Sequence, residues 1–305
     1  MRAAYYEEPG GPENLKVGER PDPEPGPGEV LIRNRAAGVG IWDVKIMASA
    51  SANRSFPAIP GFEAAGVLEQ AGDSGMRVGD PAYAQLGAHR GGYAEYSVAR
   101  SDHVAPKPPT ASFEEAAGLV IGAGTAYEGL IDRGHIQAGE TVLVTAASGG
   151  VGVSAVQIAA SLGARVVAVA SSSNHDLLRE LGASEAFDYH DPTWVDQVSA
   201  AAPGGVDVLF DGAGGDTRDR AVGAVKDGGR GVFLVGKPQN LPRGITAEQF
   251  SADPTGERLR AIGHLVAEGK LRAVMDSTFA LDDAPAAVAR VASHHSRGRV
   301  ALTID

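Results

Sequence analysis

The stretch Glu140-Thr141-Val142-Leu143-Val144-Thr145-Ala146-Ala147-Ser148-Gly149-Gly150-Val151-Gly152 runs from a β-branched strand into a glycine-rich turn, and an apolar helical pattern follows it. A backbone that must come close to a pyrophosphate needs glycine, because a Cβ would stand in the way. The free N–H groups at a helix start then meet the anion's charge. Gly149, Gly150 and Gly152 supply both, with Ala146 in the first position of a G-x-G-x-x-G variant. The surroundings agree: Gln157, Ile158, Ala159 and Leu162 continue the helix, Gly163 ends it, and Arg165 to Val169 reads as a second strand. The segment reads as a dinucleotide phosphate loop, against the alternative of a tight strand-to-helix turn with no ligand.

Outward from this loop the chain changes character twice. Residues 1 to about 112 show strand-like alternation broken by Gly and Pro, as in Gly28 to Ala36, Gly66 to Glu69 and Tyr93 to Val98, and so read as a mostly β domain. From Phe113 a helix gives way to strands at 140–146, 164–170, 185–189, 206–211 and 230–236, alternating with helices that begin near 151, 175, 192 and 216. Such alternation predicts an α/β fold with a doubly wound parallel sheet. A helix from Thr255 to Glu268 and a final strand from Arg299 to Ile304 follow, and that strand is expected to return to the first domain.

The 305 residues suit about two domains. Composition is that of a soluble globular protein, with no apolar run near the roughly 20 residues of a membrane span. The N-terminus lacks a signal peptide's apolar stretch, so a cytoplasmic location is expected. A net charge of −11 with scattered basic residues argues against nucleic acid or an anionic membrane as partner. Cysteine is absent, which excludes disulfides, thiolate catalysis and zinc sites built on sulfur. His294 and His295 are adjacent, and neighbours on an extended chain point to opposite sides, so they read as a solvated polar stretch.

Gly28-Glu29-Val30-Leu31-Ile32, Ala37-Gly38-Val39, Pro60-Gly61-Phe62-Glu63-Ala64-Ala65-Gly66-Val67, Val78-Gly79-Asp80, Gly92 to Tyr96, Gly124-Thr125-Ala126-Tyr127, the glycine loop and Gly298 to Leu302 occur in that order. In this order the residues resemble the medium-chain dehydrogenase/reductase superfamily, and within it the zinc-free NADPH:quinone oxidoreductase branch, over almost the whole chain. The resemblance implies a GroES-like substrate domain of residues 1–112 and 268–305, a Rossmann domain of residues 113–267, and an active site in the cleft between them. Zinc-dependent alcohol dehydrogenases of the superfamily carry a cysteine and a histidine ligand where this chain has Gly40 and Phe62. Without a metal to polarise a simple carbonyl, hydride transfer to a quinone or an α,β-unsaturated carbonyl is the expected reaction, since the product oxyanion is delocalised.

Roles follow from the motif and from the resemblance. Ser148, Gly149, Gly150, Val151 and Gly152 should hold the pyrophosphate. The resemblance puts Thr125 near the nicotinamide ribose at the start of a helix, with an N-cap hydroxyl as the alternative. Ala213 and Gly214 after the fourth strand, and Val235, Gly236 and Lys237 after the fifth, should line the carboxyl edge of the sheet, with turn formation as the alternative. Ser171, at the end of the second strand, stands where NADH-selective enzymes place a carboxylate; with Ser172, Asn174 and Tyr189 it points to NADPH. On the substrate side the chain has Lys45 where quinone reductases often have tyrosine. It is a candidate proton donor, or else a solvated surface lysine. Trp42 is a candidate pocket wall, and Asp43 is read as a backbone anchor. The competing readings are an enoyl-thioester reductase of fatty acid or polyketide synthesis and a non-enzymatic NADPH-binding sensor. A homodimer is expected by analogy, with Val232-Phe233-Leu234-Val235 as the apolar edge strand.

Overall fold

A computed structural model describes residues 1–50, 55–87 and 91–305. The chain divides into two units, Met1–Gly124 with Asp253–Asp305, and Thr125–Ala252.

The first unit is built on β1 (Arg2–Tyr5), β2 (Lys16–Glu19), β3 (Glu29–Val39), α1 (Ile41–Ala48), β4 (Glu63–Gln70), β5 (Pro81–Gln85), β6 (Tyr96–Arg100), β7 (Val104–Pro106) and α2 (Phe113–Tyr127), whose last turn crosses into the second unit. β3 organises this unit. Its alternation buries Val30, Ile32 and Asn34 on one face; Val30 and Ile32 pack with Ala64, Leu68, Ala82 and Ala99, and the Asn34 amide donates to the Ala94 carbonyl at 2.7 Å. β3 pairs antiparallel with β4 and β6.

The second unit carries β8 (Thr141–Thr145), α3 (Gly152–Ser161), β9 (Arg165–Val169), α4 (His175–Glu180), β10 (Ala183–Phe187), α5 (Trp194–Ala201), β11 (Val206–Asp211), α6 (Gly215–Ala221), β12 (Val225–Phe233) and β13 (Thr246–Gln249). Its six strands pair in parallel in the order β10-β9-β8-β11-β12-β13, a doubly wound sheet whose order reverses beside β8. Leu143, Val167, Leu209 and Phe233 pack beneath it with Trp194 and Val198 of α5. At the end of α3, Gly163 has φ +80; its N–H donates to Ala160 and that of Ala164 to Ala159, a glycine-centred stop.

The chain then re-enters the first unit through α7 (Gly256–Ala267), β14 (Met275–Ala280), α8 (Ala284–Ala292) and β15 (Arg299–Thr303). β15 pairs antiparallel with β3, Val300 opposite Val39, so the last strand does return to the first unit.

Three features differ from the sequence reading. α7 belongs to the first unit, because the Tyr83 hydroxyl donates to the Leu259 carbonyl and His103 Nε2 lies 2.8 Å from Asp253 Oδ1; the units part after residues 124 and 252, not 112 and 267. Val232 to Val235 is not an edge strand: Val232 and Phe233 are buried and pair with β13, a polar and mostly exposed strand that takes the edge. Thr125 lies two residues before the end of α2, so it starts no helix and caps none. Among the described residues, no helix is long and apolar enough to cross a membrane.

Candidate functional site

In the second unit the ends of β8, β11 and β12 meet around the glycine loop. Ala146 turns the chain out of β8 at φ +50, a conformation costly for any residue with a Cβ. The Ala147 N–H is tied to the Val169 carbonyl at 3.1 Å and the Gly149 N–H to Ala146 at 3.0 Å, which closes the turn. A Cβ on Gly152 would stand 2.3 Å from the Ala146 carbonyl oxygen and 2.7 Å from Ala147 Cα. The loop therefore folds back on α3 through bare backbone; the Val153 N–H donates to Gly149 and those of Ser154 and Ala155 to Val151, so the donors the turn offers a ligand are the loop N–H groups that precede them. This cradle fits a pyrophosphate: it presents backbone donors and excludes side chains where the anion approaches.

Asp211 fixes the neighbouring strand end. Fully buried, it accepts the Thr145 hydroxyl at 2.5 Å and the Gly214 N–H at 3.1 Å, and burial raises its pKa. Gly214, at φ +70, packs so closely on Val235 that a Cβ there would come within 2.9 Å of it. Gly236 turns at φ +69 with its carbonyl held by Arg218, and the Lys237 N–H reaches Gln249 at 3.1 Å. Ala213, Gly214, Val235, Gly236 and Lys237 thus form one rim at the carboxyl edge of the sheet. Asp211 belongs to the strand end, residues 211–214, that the sequence reading places along this edge; Thr145, whose hydroxyl closes on it, carried no assigned role, and a hydroxyl ending an apolar strand was the available signal.

On the other side of the loop, the Asn174 amide donates to the Ser148 hydroxyl at 3.3 Å and joins the phosphate turn to the segment after β9. Ser171, Ser172 and Ser173 lie in that segment, and none carries a negative charge. The Asp188 carboxylate, just after β10, accepts the Ser172 N–H at 3.0 Å and both the N–H and Nδ1 of His190, at 2.9 and 2.8 Å. Those bonds, the His190 N–H foremost, hold the Asp188 carboxyl well below the usual range. Tyr189, 41% exposed, stacks on the His190 ring at 4.0 Å.

The first unit holds the substrate-side candidates. Gly40 caps α1 and its N–H donates to Asp43 at 2.8 Å, so Asp43 is bonded to backbone and buried. Burial pushes the Asp43 carboxyl up to about 7. A Cβ on Gly40 would lie 2.2 Å from the Trp42 ring: the indole fills the space a side chain at position 40 would occupy. Arg299 lies 4.9 Å over that ring and pairs with Glu63, both buried, while the second Glu63 oxygen accepts the Ile121 N–H at 2.7 Å. Lys45 is exposed on α1. Among the described residues, no group of three or more His, Asp or Glu is placed to hold a metal ion. Sequence reasoning did not find the Glu63–Arg299 pair; a glutamate and an arginine each heading a run of apolar strand residues were its only trace.

Residues 26–109 match the alcohol dehydrogenase GroES-like domain family, and residues 181–302 the zinc-binding dehydrogenase family. The chain is 32% identical to the chloroplastic quinone-oxidoreductase QR1 of Triphysaria versicolor, over 99% of this chain and 98% of that one. It is 33% identical, over 91% of its length, to the spectinabilin polyketide synthase system protein NorB of Streptomyces orinoci, but spans only 13% of that much longer protein. A solved structure described as an NAD-dependent alcohol dehydrogenase superposes with a TM-score of 0.93 at 32% identity, with all of both chains covered.

Proposed function

The chain belongs to the medium-chain dehydrogenase/reductase superfamily, an oxidoreductase family that uses pyridine nucleotides, and on that premise we propose that it is a zinc-independent, NADPH-dependent reductase of small quinones or α,β-unsaturated carbonyls. The observation that carries this reading is the pair of Gly40 and Phe62, with the Trp42 indole seated where a side chain at position 40 would project. An alkoxide needs an electrophile to form and discharge, and these residues offer none. A conjugated acceptor needs less, because its oxyanion is a delocalised phenolate or enolate. A reduced nicotinamide supplies the hydride when bound; the glycine loop and the 213–214 and 235–237 rim of this chain hold the nucleotide, and exposed Lys45 is the candidate proton source.

With saturating NADPH, a small quinone or enone should be reduced more than about tenfold faster than ethanol or benzyl alcohol is oxidised with NADP⁺, a barrier difference of about 1.4 kcal/mol. Faster alcohol oxidation overturns the assignment. Incubation with a chelator followed by gel filtration should leave quinone turnover unchanged. A zinc ion held by each subunit and lost together with activity refutes zinc independence.

The likeness to NorB favours one second reading, reduction of an enoyl thioester, with the same hydride chemistry on an acyl chain carried as a thioester. A crotonyl thioester in the same assay separates the two, the quinone or enone being the faster substrate if the first reading holds.

A further inference from the structure

We infer that His190 is the residue through which this chain selects the 2′-phosphate of NADPH; the inference rests on the NADPH reading above and adds to it the group that meets the phosphate charge. The adenosine ribose of a Rossmann ligand is read at the end of the second strand, here Ser171. A phosphate on that ribose calls for a cation, since a charged donor bonds a phosphate about twice as strongly as a neutral one. Position 174 supplies an amide instead, turned onto the Ser148 hydroxyl. In the two segments that follow β9 and β10, the basic side chains are His175, Arg179 and His190. His175 Nε2 lies 3.2 Å from the Ala170 carbonyl, and Arg179 is paired with Asp176 at 3.1 Å.

His190 differs from both in its fixation. Its Nδ1 rests on Asp188 Oδ1, its side chain is 64% exposed, and its ring lies against Tyr189. With Nδ1 occupied, Nε2 is the nitrogen free to meet a ligand. The same Asp188 carboxylate grips the Ser172 N–H, so one group clamps the imidazole to the segment that begins at Ser171. The Asp188 charge is taken up by Ser172, through both its N–H and its side chain, and by His190, so it is held by donors and not left bare beside an anion. Asp191, the remaining acid of that loop, is turned onto Thr193 and Gln197.

The test is fluorescence titration of NADPH and NADH with the unmodified protein, His190→Gln and His190→Lys, together with displacement of NADPH by 2′,5′-ADP. His190→Gln should weaken NADPH and 2′,5′-ADP by about tenfold, equivalent to about 1.4 kcal/mol, and leave NADH unchanged. His190→Lys should restore the NADPH preference, which a residue serving only the fold would not do. An unchanged NADPH to NADH ratio in His190→Gln, or equal weakening of both nucleotides with no rescue by lysine, overturns the inference alone. Tighter NADH than NADPH binding by the unmodified protein overturns the NADPH reading itself.

Discussion

Replacing Arg299 with leucine should cost the first unit about 3 to 5 kcal/mol, the largest single-residue loss of stability expected in this chain. Glu63 is fully buried, and its compensating charge is the Arg299 guanidinium, itself 4% exposed. Without it, Glu63 must either stay ionised in an apolar interior or take up a proton, and Asp43 nearby is already pushed up to about 7 by burial. The sign of the pH effect follows. A carboxyl whose folded-state pKa is raised binds more protons when folded than when unfolded, so its contribution is present at low pH and is lost as pH rises from the unfolded to the folded value. Arg299→Leu should therefore be most stable in mildly acidic buffer and deteriorate towards pH 8 more steeply than the unmodified protein. Urea titrations at two pH values measure both effects.

The double substitution Glu63→Leu with Arg299→Leu discriminates between causes. If the single variant fails through an uncompensated charge, removing both charges should recover most of the loss, since apolar replacement of a buried pair is often neutral or better. Recovery stays incomplete by about 1 kcal/mol because the Ile121 N–H loses its acceptor at 2.7 Å. A double variant as weak as the single one would show that packing against the Trp42 ring, and not charge, is what Arg299 contributes.

What could be read in the sequence depended on how local the cause was. The phosphate turn was legible because its requirement is steric and confined to seven residues, and the strands of the second sheet because buried parallel strands are short apolar runs. The edge strand Thr246–Gln249 was not legible: it is polar and mostly exposed, and only its pairing with β12 makes it a strand. Thr125 is expected at a helix start and lies inside α2, and nothing local in the glycines at 118, 122 and 124 announces that the helix runs through them. In the fold two of them are close-packing points inside one helix. A Cβ on Gly118 would press on Arg299 and Met275 at 3.3 Å, and one on Gly124 would meet Pro254 at 2.6 Å. Glu63 and Arg299 lie 236 residues apart, so neither residue announces its partner. The clamp of Asp188 on Ser172 and His190 likewise depends on two strand ends that only the parallel pairing of β9 and β10 brings together.

Gly152→Ala should weaken nucleotide binding by about a hundredfold while Gly149→Ala should leave it nearly unchanged, although both change one hydrogen to a methyl in the same loop. At Gly152 the added carbon would sit 2.3 Å from the Ala146 oxygen and 2.7 Å from two Ala147 backbone atoms, and backbone yields far less readily than the tip of a side chain. The turn must open, and Ala146, already at φ +50, has little freedom to absorb the movement. Each backbone N–H moved off the pyrophosphate forfeits about 1 to 1.5 kcal/mol, so losing two weakens binding by about a hundredfold. At Gly149 the added carbon approaches only the Ala146 oxygen, at 3.3 Å, which a small shift relieves. Titration of NADPH fluorescence against the two variants, with circular dichroism melts to show that each is folded, checks the contrast. Comparable nucleotide affinity in Gly152→Ala and the unmodified protein would remove the glycine loop from the binding site and take the functional assignment of the second unit with it.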